Sequence, residues 1–526
     1  MRVTNKIIQN NNLANINTNK VYQDILSTQM STQKKISRPS DDPVVAIRAL
    51  RLRSNVTELT QYYSKNIPDA ESWLDVTEDS LNNLTEVITK MIEQCTKGAN
   101  GELTASDREI ILEQLNSLAD EVYTTGDADY AGRYVFTGYR TDTSLSFDKE
   151  QKMRYSITEQ LGKDAIDTMT VVDTETEAGV NLKDMTQSNY KDMDVNAIDV
   201  SATDVHRIRL AYNDCSDVAP VLSYPVANRG ADGEVSLEWK TIPTVVVHDY
   251  ANPSPSELIQ KASENKEESA IFIPETGELL LSDAAYEKLM GLKDDSTTAA
   301  YDESEIRVTY EKNNWVKGDL RPEHYFACTS YPEGEDAIIY NAKYLEGIVE
   351  RQDIEYDVGF NQTIRVNSTA DQCFKHGIGR TVDDLSQAMQ DVIDMQKIKG
   401  ELEALKDKVG EKELPVLEAK LETVTKAYDM MKDKSQRMFE AAITSMQGYL
   451  NEANLCITEC GTRSSKLDLI NARTQTQKTT FETLKSENED VDITDIAIQL
   501  SSAKLTYEAA LMATGKVTQT SLLNFI

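Results

Sequence analysis

The sequence predicts a mainly α protein: a long helical bundle or coiled coil formed by the N- and C-terminal segments, with an inserted α+β or mostly-β variable domain. Three observations predict it. Apolar residues recur at alternating steps of three and four in both ends of the chain, the spacing of helices that pack side by side. Between about 141 and 372 that spacing gives way to strand-like runs separated by turn residues. At 526 residues the chain exceeds what one core organises well. The expected division is 1–40 with 490–526 as a terminal helical domain, 41–140 with 373–489 as a helical rod, and 141–372 as the insert.

From the N-terminus, Val3, Ile7, Leu13, Ile16, Val21, Ile25 and Met30 form a weak apolar stripe among many Asn, Gln and Thr residues. Such a helix has low intrinsic propensity and is marginal alone in water. Arg38-Pro39-Ser40-Asp41-Asp42-Pro43 is a proline-bracketed acidic turn. Asp42 suits an N-cap and Pro43 the first helical turn, so a helix is expected from there to about Lys65. A third helix is expected after Pro68, with Leu74, Thr77, Leu81, Leu84, Ile88, Met91 and Cys95 as its seam. It should stop at Gly98-Ala99-Asn100-Gly101. Ser106 with Glu109 reads as the capping box of a fourth helix carrying Ile111, Leu115, Leu118 and Val122. Gly132 to Tyr139 reads as a short strand ending in a turn.

Inside the insert, Thr244–Val247 and Ile306–Tyr310 read as strands, Asn252-Pro253-Ser254-Pro255 as a turn, and 254–264 and 282–291 as short helices. From about 381 the helical spacing returns. Met395, Ile398, Leu402, Leu405 and Val409 form one seam, with a break expected between Gly410 and Pro415. Leu417 to Tyr449 continue, Gly461 is expected to interrupt, and Leu467 to Leu484 resume. After the acidic stretch Ser486–Asp492 a last helix presents Ile496, Leu500, Ala503, Tyr507, Ala510, Thr514, Val517 and Ser521. This seam is thin, with small and polar members, so neighbouring copies should add burial that one chain lacks.

The chain carries 55 basic and 88 acidic residues, a net charge of −33, which argues against nucleic acid as a partner because a phosphate backbone is repelled. Residues 1–65 hold ten Lys/Arg against four Asp/Glu, and 486–526 hold two Lys against six Asp/Glu, so the two ends attract each other. The first residues have no apolar core of a secretory signal, and no apolar run approaches the ~20 residues of a membrane span, so no membrane partner is expected.

Three stretches resemble the hook-associated protein 3 family, the hook–filament junction proteins related to flagellin. They are the arm leading into Ile36–Pro43, the segment from Asn100 through Gly132-Arg133-Tyr134-Val135-Phe136-Thr137-Gly138-Tyr139, and Tyr507 to Ser521-Leu522-Leu523. With the intervening helices they cover about 1–140 and 455–526. The resemblance implies a helical inner domain where both termini meet, a rod, and an outward variable domain. It also implies export, unfolded, through the flagellar type III apparatus, and stacking between hook-associated protein 1 and flagellin. An export chaperone and further copies of the chain are implied as partners, and no catalysis or cofactor. The subunit interface is then expected on Val3, Ile7, Leu13, Ile16, Val21, Ile25, Ile496, Leu500, Ala503, Tyr507, Ala510, Thr514, Val517 and Leu522. Arg38, Pro39, Ser40, Asp41, Asp42 and Pro43 are expected at a domain junction. The stretch 390–450 is longer than the family pattern needs and reads as an extra helical hairpin.

Signals of chemistry are sparse. His206, His248, His324 and His376 form no His-Glu-x-x-His motif, and Cys373-x-x-His376 lacks a second ligand pair. No phosphate loop or nucleophile elbow occurs. Glu333 and Glu335 read as solvated surface. Trp239 and Trp315 read as core of the insert, with sugar stacking as the functional alternative. The six cysteines do not make a disulfide framework; Cys456 and Cys460, one helical turn apart, read as buried thiols and a poor disulfide pair. The readings beside the junction role are filament flagellin or another hook-associated protein, an adhesive or sugar-binding insert on a flagellar scaffold, and a coiled-coil scaffold with no flagellar role.

Overall fold

A computed structural model describes residues 5–174, 181–193, 200–229, 235–251, 253–292, 304–334, 336–346, 352–410 and 413–519. Long helices occupy both ends of the chain and the strands lie between them. The helices are α1 (Asn5–Thr32), α2 (Pro43–Gln61), α3 (Ile67–Gly98), α4 (Ala105–Gly126), α5 (Pro255–Glu264), α6 (Asp283–Met290), α7 (Ala370–Cys373), α8 (His376–Glu403), α9 (Leu414–Glu489) and α10 (Ile493–Gln519). By contacts the chain forms two units: 1–71 with 356–364 and 464–526, and 72–355 with 365–463.

In the first unit, α1 lies along α10. Leu26 is 2 % exposed and sits in a small cluster with Ile496 and Ala503, flanked by Val491 and Leu500. The backbone of 33–35 pairs with that of 489–491, through Lys35 N to Glu489 O (2.7 Å) and Val491 N to Gln33 O (3.2 Å). The Arg53 guanidinium grips the Glu489 carboxylate in two parallel bonds of 2.7 Å, and Lys34 reaches Asp490. The basic-end to acidic-end attraction predicted from composition is therefore made by named pairs. A π-helical turn, Tyr62–Asn66, joins α2 to α3, so no break separates them at Pro68. A proline removes one backbone donor and crowds the preceding turn. The widened turn absorbs this: the Ile67 N–H bonds Tyr62 O, one residue further back than in an α-helix. A hairpin of 356–364 joins this unit by Asn66 Nδ2 to Asp357 O, 2.7 Å.

In the second unit the predicted seam of α3 is buried at every expected position from Leu74 to Cys95. It packs on α9, where Cys460 Sγ donates to Leu74 O (3.5 Å) and Phe439 closes over Gly98. A Cβ at Gly98 would lie 2.4 Å from the Phe439 ring, which is why glycine ends this helix. The capping box of α4 is Thr104 with Asp107, not Ser106 with Glu109. Both pairs have the required spacing, and the chain turn after Gly101 decides between them. Helix α4 packs on α8, with Arg108 donating to Gln396 Oε1 at 2.6 Å.

Gly461 does not interrupt α9, which runs unbroken for 76 residues. One glycine costs a helix roughly 1 kcal/mol against alanine, too little to outweigh burial of Cys456, Cys460, Leu467 and Ile470 around it. The break expected between Gly410 and Pro415 is found: α8 ends at Glu403 and α9 begins at Leu414.

The strands are β1 (Asp129–Tyr130), β2 (Arg133–Tyr134), β3 (Gln151–Leu161), β4 (Ile166–Asp173), β5 (Ser201–Arg209), β6 (Val221–Arg229), β7 (Val235–Ile242), β8 (Thr244–Val246), β9 (Ala270–Ile273), β10 (Glu278–Leu281), β11 (Ile306–Trp315), β12 (Ala327–Tyr331), β13 (Ile338–Tyr340), β14 (Glu355–Gly359) and β15 (Gln362–Arg365). One sheet has the order β13-β12-β3-β11-β6-β7, the other β4-β5-β10-β9-β8, and only β8 with β9 is parallel. A core of Tyr155, Ile157, Ile208, Phe272, Leu279 and Trp315, among others, fills the space against them. Alternation supplies it: Tyr155, Ile157 and Glu159 point one way from β3, and Ile306, Val308, Tyr310 and Lys312 from β11. Helices α5 and α6 start at Ser254 and Ser282, whose hydroxyls cap them, close to the expected bounds.

The far end of the α8–α9 hairpin is covered by the insert itself. Leu182, Met185, Tyr190 and Val200 bury Met395, Ile398, Leu402 and Leu417 among others. Lys420 Nζ donates to Tyr190 O and Met193 O, and Lys183 pairs with Asp391 at 2.6 Å. This contact accounts for the extra helical length: the long seam has a partner in the same chain.

Candidate functional site

The predicted interface residues divide between two faces. Ile16, Ile496 and Ala503 are buried in the α1–α10 contact, and Leu500, Tyr507, Ala510 and Thr514 are half-buried. Ile7, Leu13, Val21 and Ile25 are 48–60 % exposed and point away from it. Val3 and Leu522 lie outside the described residues, as do Ser521 and Leu523, and the side chain of Val517 is likewise not described. The structure therefore separates a contact made within the chain from a stripe facing solvent.

Sequence reasoning missed two parts of this arrangement. Leu26, the most buried residue of α1, was passed over because Val21 and Ile25 captured the apolar stripe. Its own row, Asn12, Ile16, Asn19, Gln23 and Leu26, is mostly polar but keeps heptad steps. The second miss is Ile498, Leu505 and Met512, a row at seven-residue steps on α10 that is 63–68 % exposed at each position. Large apolar residues held this far into solvent at helical spacing mark an interaction face more than scattered ones do. Ile493, Leu511, Tyr22 and Met30 are exposed as well. No apolar side chain of the chain's described residues covers these positions.

The turn at 38–43 is built by two adjacent carboxylates. Asp41 accepts from Arg38 N (2.9 Å) and Ser37 N (3.2 Å) and closes the loop before α2. Asp42 accepts from Val44 N (2.9 Å) and Val45 N (3.1 Å), the predicted N-cap, and Pro43 opens the helix. Arg38, Pro39 and Ser40 are exposed on the outside of that turn. Just beyond it, hydrogen bonding to Arg53 holds the Glu489 carboxyl below its usual range, so the clamp is charged at neutral pH.

Elsewhere polar groups are used for packing. His376 is enclosed by Tyr212, Tyr325 and Phe326, and burial lowers it to about 3; His324, on Ser144 O at 3.1 Å, is lowered by burial to about 4. His206 stacks on Tyr286 at 3.5 Å, and His248 meets Glu275 at 2.5 Å. Cys373 and His376 turn to different partners, and among the described residues no group of three or more His, Cys, Asp or Glu is arranged to hold a metal ion. Trp315 is in the core, donating to Met153 O at 2.8 Å, whereas Trp239 is half-buried under the Arg307 guanidinium at 3.9 Å. Glu333 is exposed and Glu335 lies outside the described residues. A cleft of about 470 Å³ lies between the second sheet and α8–α9, lined by Arg207, Asp249, Glu278, Asp384 and Lys434 among others. Arg207 there is engaged by Asp167 (2.9 Å), Asp384 (2.7 Å) and Glu278, which joins β5 to α8.

The aromatic turn is a tight hairpin: β1 pairs with β2 across Ala131 and Gly132, both with positive φ. Arg133 lies over the Trp73 ring at 4.9 Å, and Phe136 packs edge-on against Phe374 at 4.9 Å. The motif thus anchors the start of the insert to α3 and to the returning chain before α8.

With this geometry in place, comparison with known proteins gives three findings. Residues 3–141 match the model of the bacterial flagellin N-terminal helical region. Flagellar hook-associated protein 3 of Salmonella typhimurium is 28 % identical over 145 residues, 27 % of this chain and 45 % of that protein. Flagellar hook-associated protein 3 of Escherichia coli is 28 % identical over 153 residues, 29 % of this chain and 48 % of that protein. The chain thus spans less than half the length of these curated relatives. A putative flagellar hook-associated protein of Vibrio parahaemolyticus aligns over 86 % of this chain and all of its own, at 14 % identity and a TM-score of 0.32.

Proposed function

We propose that this chain is a structural, non-enzymatic subunit of the bacterial flagellum at the hook–filament junction, adapting the hook-associated ring to the flagellin filament. The observation that carries this reading is the outward apolar stripe of α1 and α10, on helices that bury little within the chain. Similarity to hook-associated protein 3 and the match to the flagellin N-terminal helical region support it.

In this reading 1–40 with 490–526 assemble, 41–140 with 373–489 form the rod, and 141–372 faces outward. The terminal helices associate as a coiled-coil-like bundle, and Arg38–Pro43 is the joint between assembly domain and rod. Ile7, Leu13, Val21 and Ile25 of α1, with Ile498, Leu505 and Met512 of α10, meet neighbouring copies. Val3, Val517 and Leu522 extend that face. Ile16, Ile496, Leu500, Ala503, Tyr507, Ala510 and Thr514 set its shape by holding α1 to α10. A head-to-tail contact whose rotation does not close on itself gives a helical tube. Partners are further copies of the chain, hook-associated protein 1, flagellin and an export chaperone; no nucleic acid or membrane is involved. Among the described residues no helix is long and apolar enough to cross a membrane. The chain is exported unfolded and works outside the cell.

The test is co-assembly with flagellin and hook-associated protein 1 of the same organism, followed by ultracentrifugation. Wild type should enter the pellet. The double variant Ile498→Asp, Leu505→Asp should remain in the supernatant with an unchanged melting curve. Pelleting of the double variant like wild type would remove α10 from the interface, and failure of wild type to co-assemble would remove the junction role.

A further inference from the structure

We propose that Cys373 and Cys456 are a disulfide-forming pair that can tie the short helix α7 to the long helix α9. The two thiols stand on different elements and meet in a buried site, 2 % and 8 % exposed. The Cys373 S–H donates to the Cys456 sulfur, and Cys456 Sγ in turn lies 3.7 Å from Gln372 O, the carbonyl next to Cys373. A hydrogen-bonded pair of sulfurs needs only a short approach to reach the ~2.05 Å of a disulfide.

All six cysteines are buried, but the other four are placed differently. Cys460, one turn along α9 from Cys456, donates to Leu74 O at 3.5 Å, and Cys215 donates to Tyr212 O at 3.5 Å. Burial pushes Cys95 and Cys215 up to about 12 and Cys460 up to about 11, and raises Cys328 as well. Cys456 is lowered instead, by the hydrogen bond from Cys373. The thiolate is the attacking form, so Cys456 is the better nucleophile of the set.

With oxidised glutathione as oxidant, the Cys456 thiolate attacks one sulfur and expels a glutathione thiolate, leaving a mixed disulfide. Cys373 then loses its proton and attacks the Cys456 sulfur, expelling the second glutathione. Two protein thiols give up two electrons and two protons, and the glutathione disulfide takes both. The bridge would close α8 and the first half of α9 into one covalent loop, and cross-links across long loops restrict the unfolded chain most. This inference is independent of the role proposed for the chain.

The experiment treats the full folded chain with oxidised glutathione, blocks remaining thiols with iodoacetamide under denaturing conditions, and maps peptides. Trypsin with a glutamate-specific protease cuts after Glu459 and separates Cys456 from Cys460. The expected result is loss of two of six thiols, a peptide linking Cys373 to Cys456, and a raised melting temperature that dithiothreitol reverses. Cys460→Ala should leave the link in place, and Cys373→Ala should abolish it. Six free thiols after oxidation of a chain with native circular dichroism would overturn the proposal. So would a link joining any other pair. The wild-type map decides the matter even if the Cys373 variant folds poorly.

Discussion

Glu159 shows how one side chain can carry a pH dependence for the insert. It is fully buried, accepting from Tyr310 Oη and from Ala211 N (2.8 Å), and burial raises it from 4.5 to about 7. The neutral form is thus favoured in the folded state. Its contribution to stability is present below 4.5 and is lost as pH rises through about 7. His324 and His376 act oppositely, since their lowered values make stability fall as the medium becomes acidic. The comparison of wild type with Glu159→Gln cancels them. The variant should gain stability relative to wild type between about pH 5 and 8, approaching 3 kcal/mol at most. Urea midpoints at both pH values would read it, and a difference that does not change with pH would refute it. Glu159 was not singled out from sequence, because an acidic residue in an alternating strand looks solvated until both of its faces are known to be covered.

At the scale of elements, α1 and α10 are long but thinly buried. Within α1 only Ile16 and Leu26 are buried, and Leu26 is the centre of the cluster that joins it to α10. Amide hydrogen exchange on the monomer should therefore be fast over α1 and α10 and slow over 74–95 and 439–460. Strong protection at both ends of a proven monomer would speak for the self-contained scaffold. Leu26→Ala should release α1 and abolish its residual protection, with little change in the melting of the second unit. Helix α9 gives a prediction of opposite sign. Gly461 lies mid-helix and a Cβ there meets nothing within 4 Å, so Gly461→Ala should stabilise by roughly 0.5–1 kcal/mol, measured as a higher denaturation midpoint. The interruption expected there failed because a glycine weakens a helix without ending it when neighbouring turns are packed. The seams of α3 and α8 were legible for the reason that α9's continuity was not: periodic burial is written locally, while the decision to continue through a weak residue depends on what covers it.

For the whole molecule, the insert and the α8–α9 hairpin depend on each other. The apolar cluster of Leu182, Met185 and Tyr190 with Ile398, Leu402 and Leu417 has half its members on each side. An isolated 141–372 fragment should expose that surface and bind a dye for apolar patches, whereas 72–355 joined to 365–463 should not. Equal dye binding by both would show that the insert closes its own core. The sequence by itself determined which parts are helix and which are strand, the seam of α3, the cap of α2 and the break before α9. Each of these is set by the spacing or chemistry of residues close together in the chain. The opposed charges of the two ends were also legible. Only tertiary structure decided that Arg53 and Lys34 receive Glu489 and Asp490, that the extra hairpin is covered by the insert, and that Cys456 meets Cys373 instead of Cys460. It alone decided which apolar residues of α1 and α10 face each other and which face solvent. A helix has several sides, and the side that is buried depends on a partner far away in sequence.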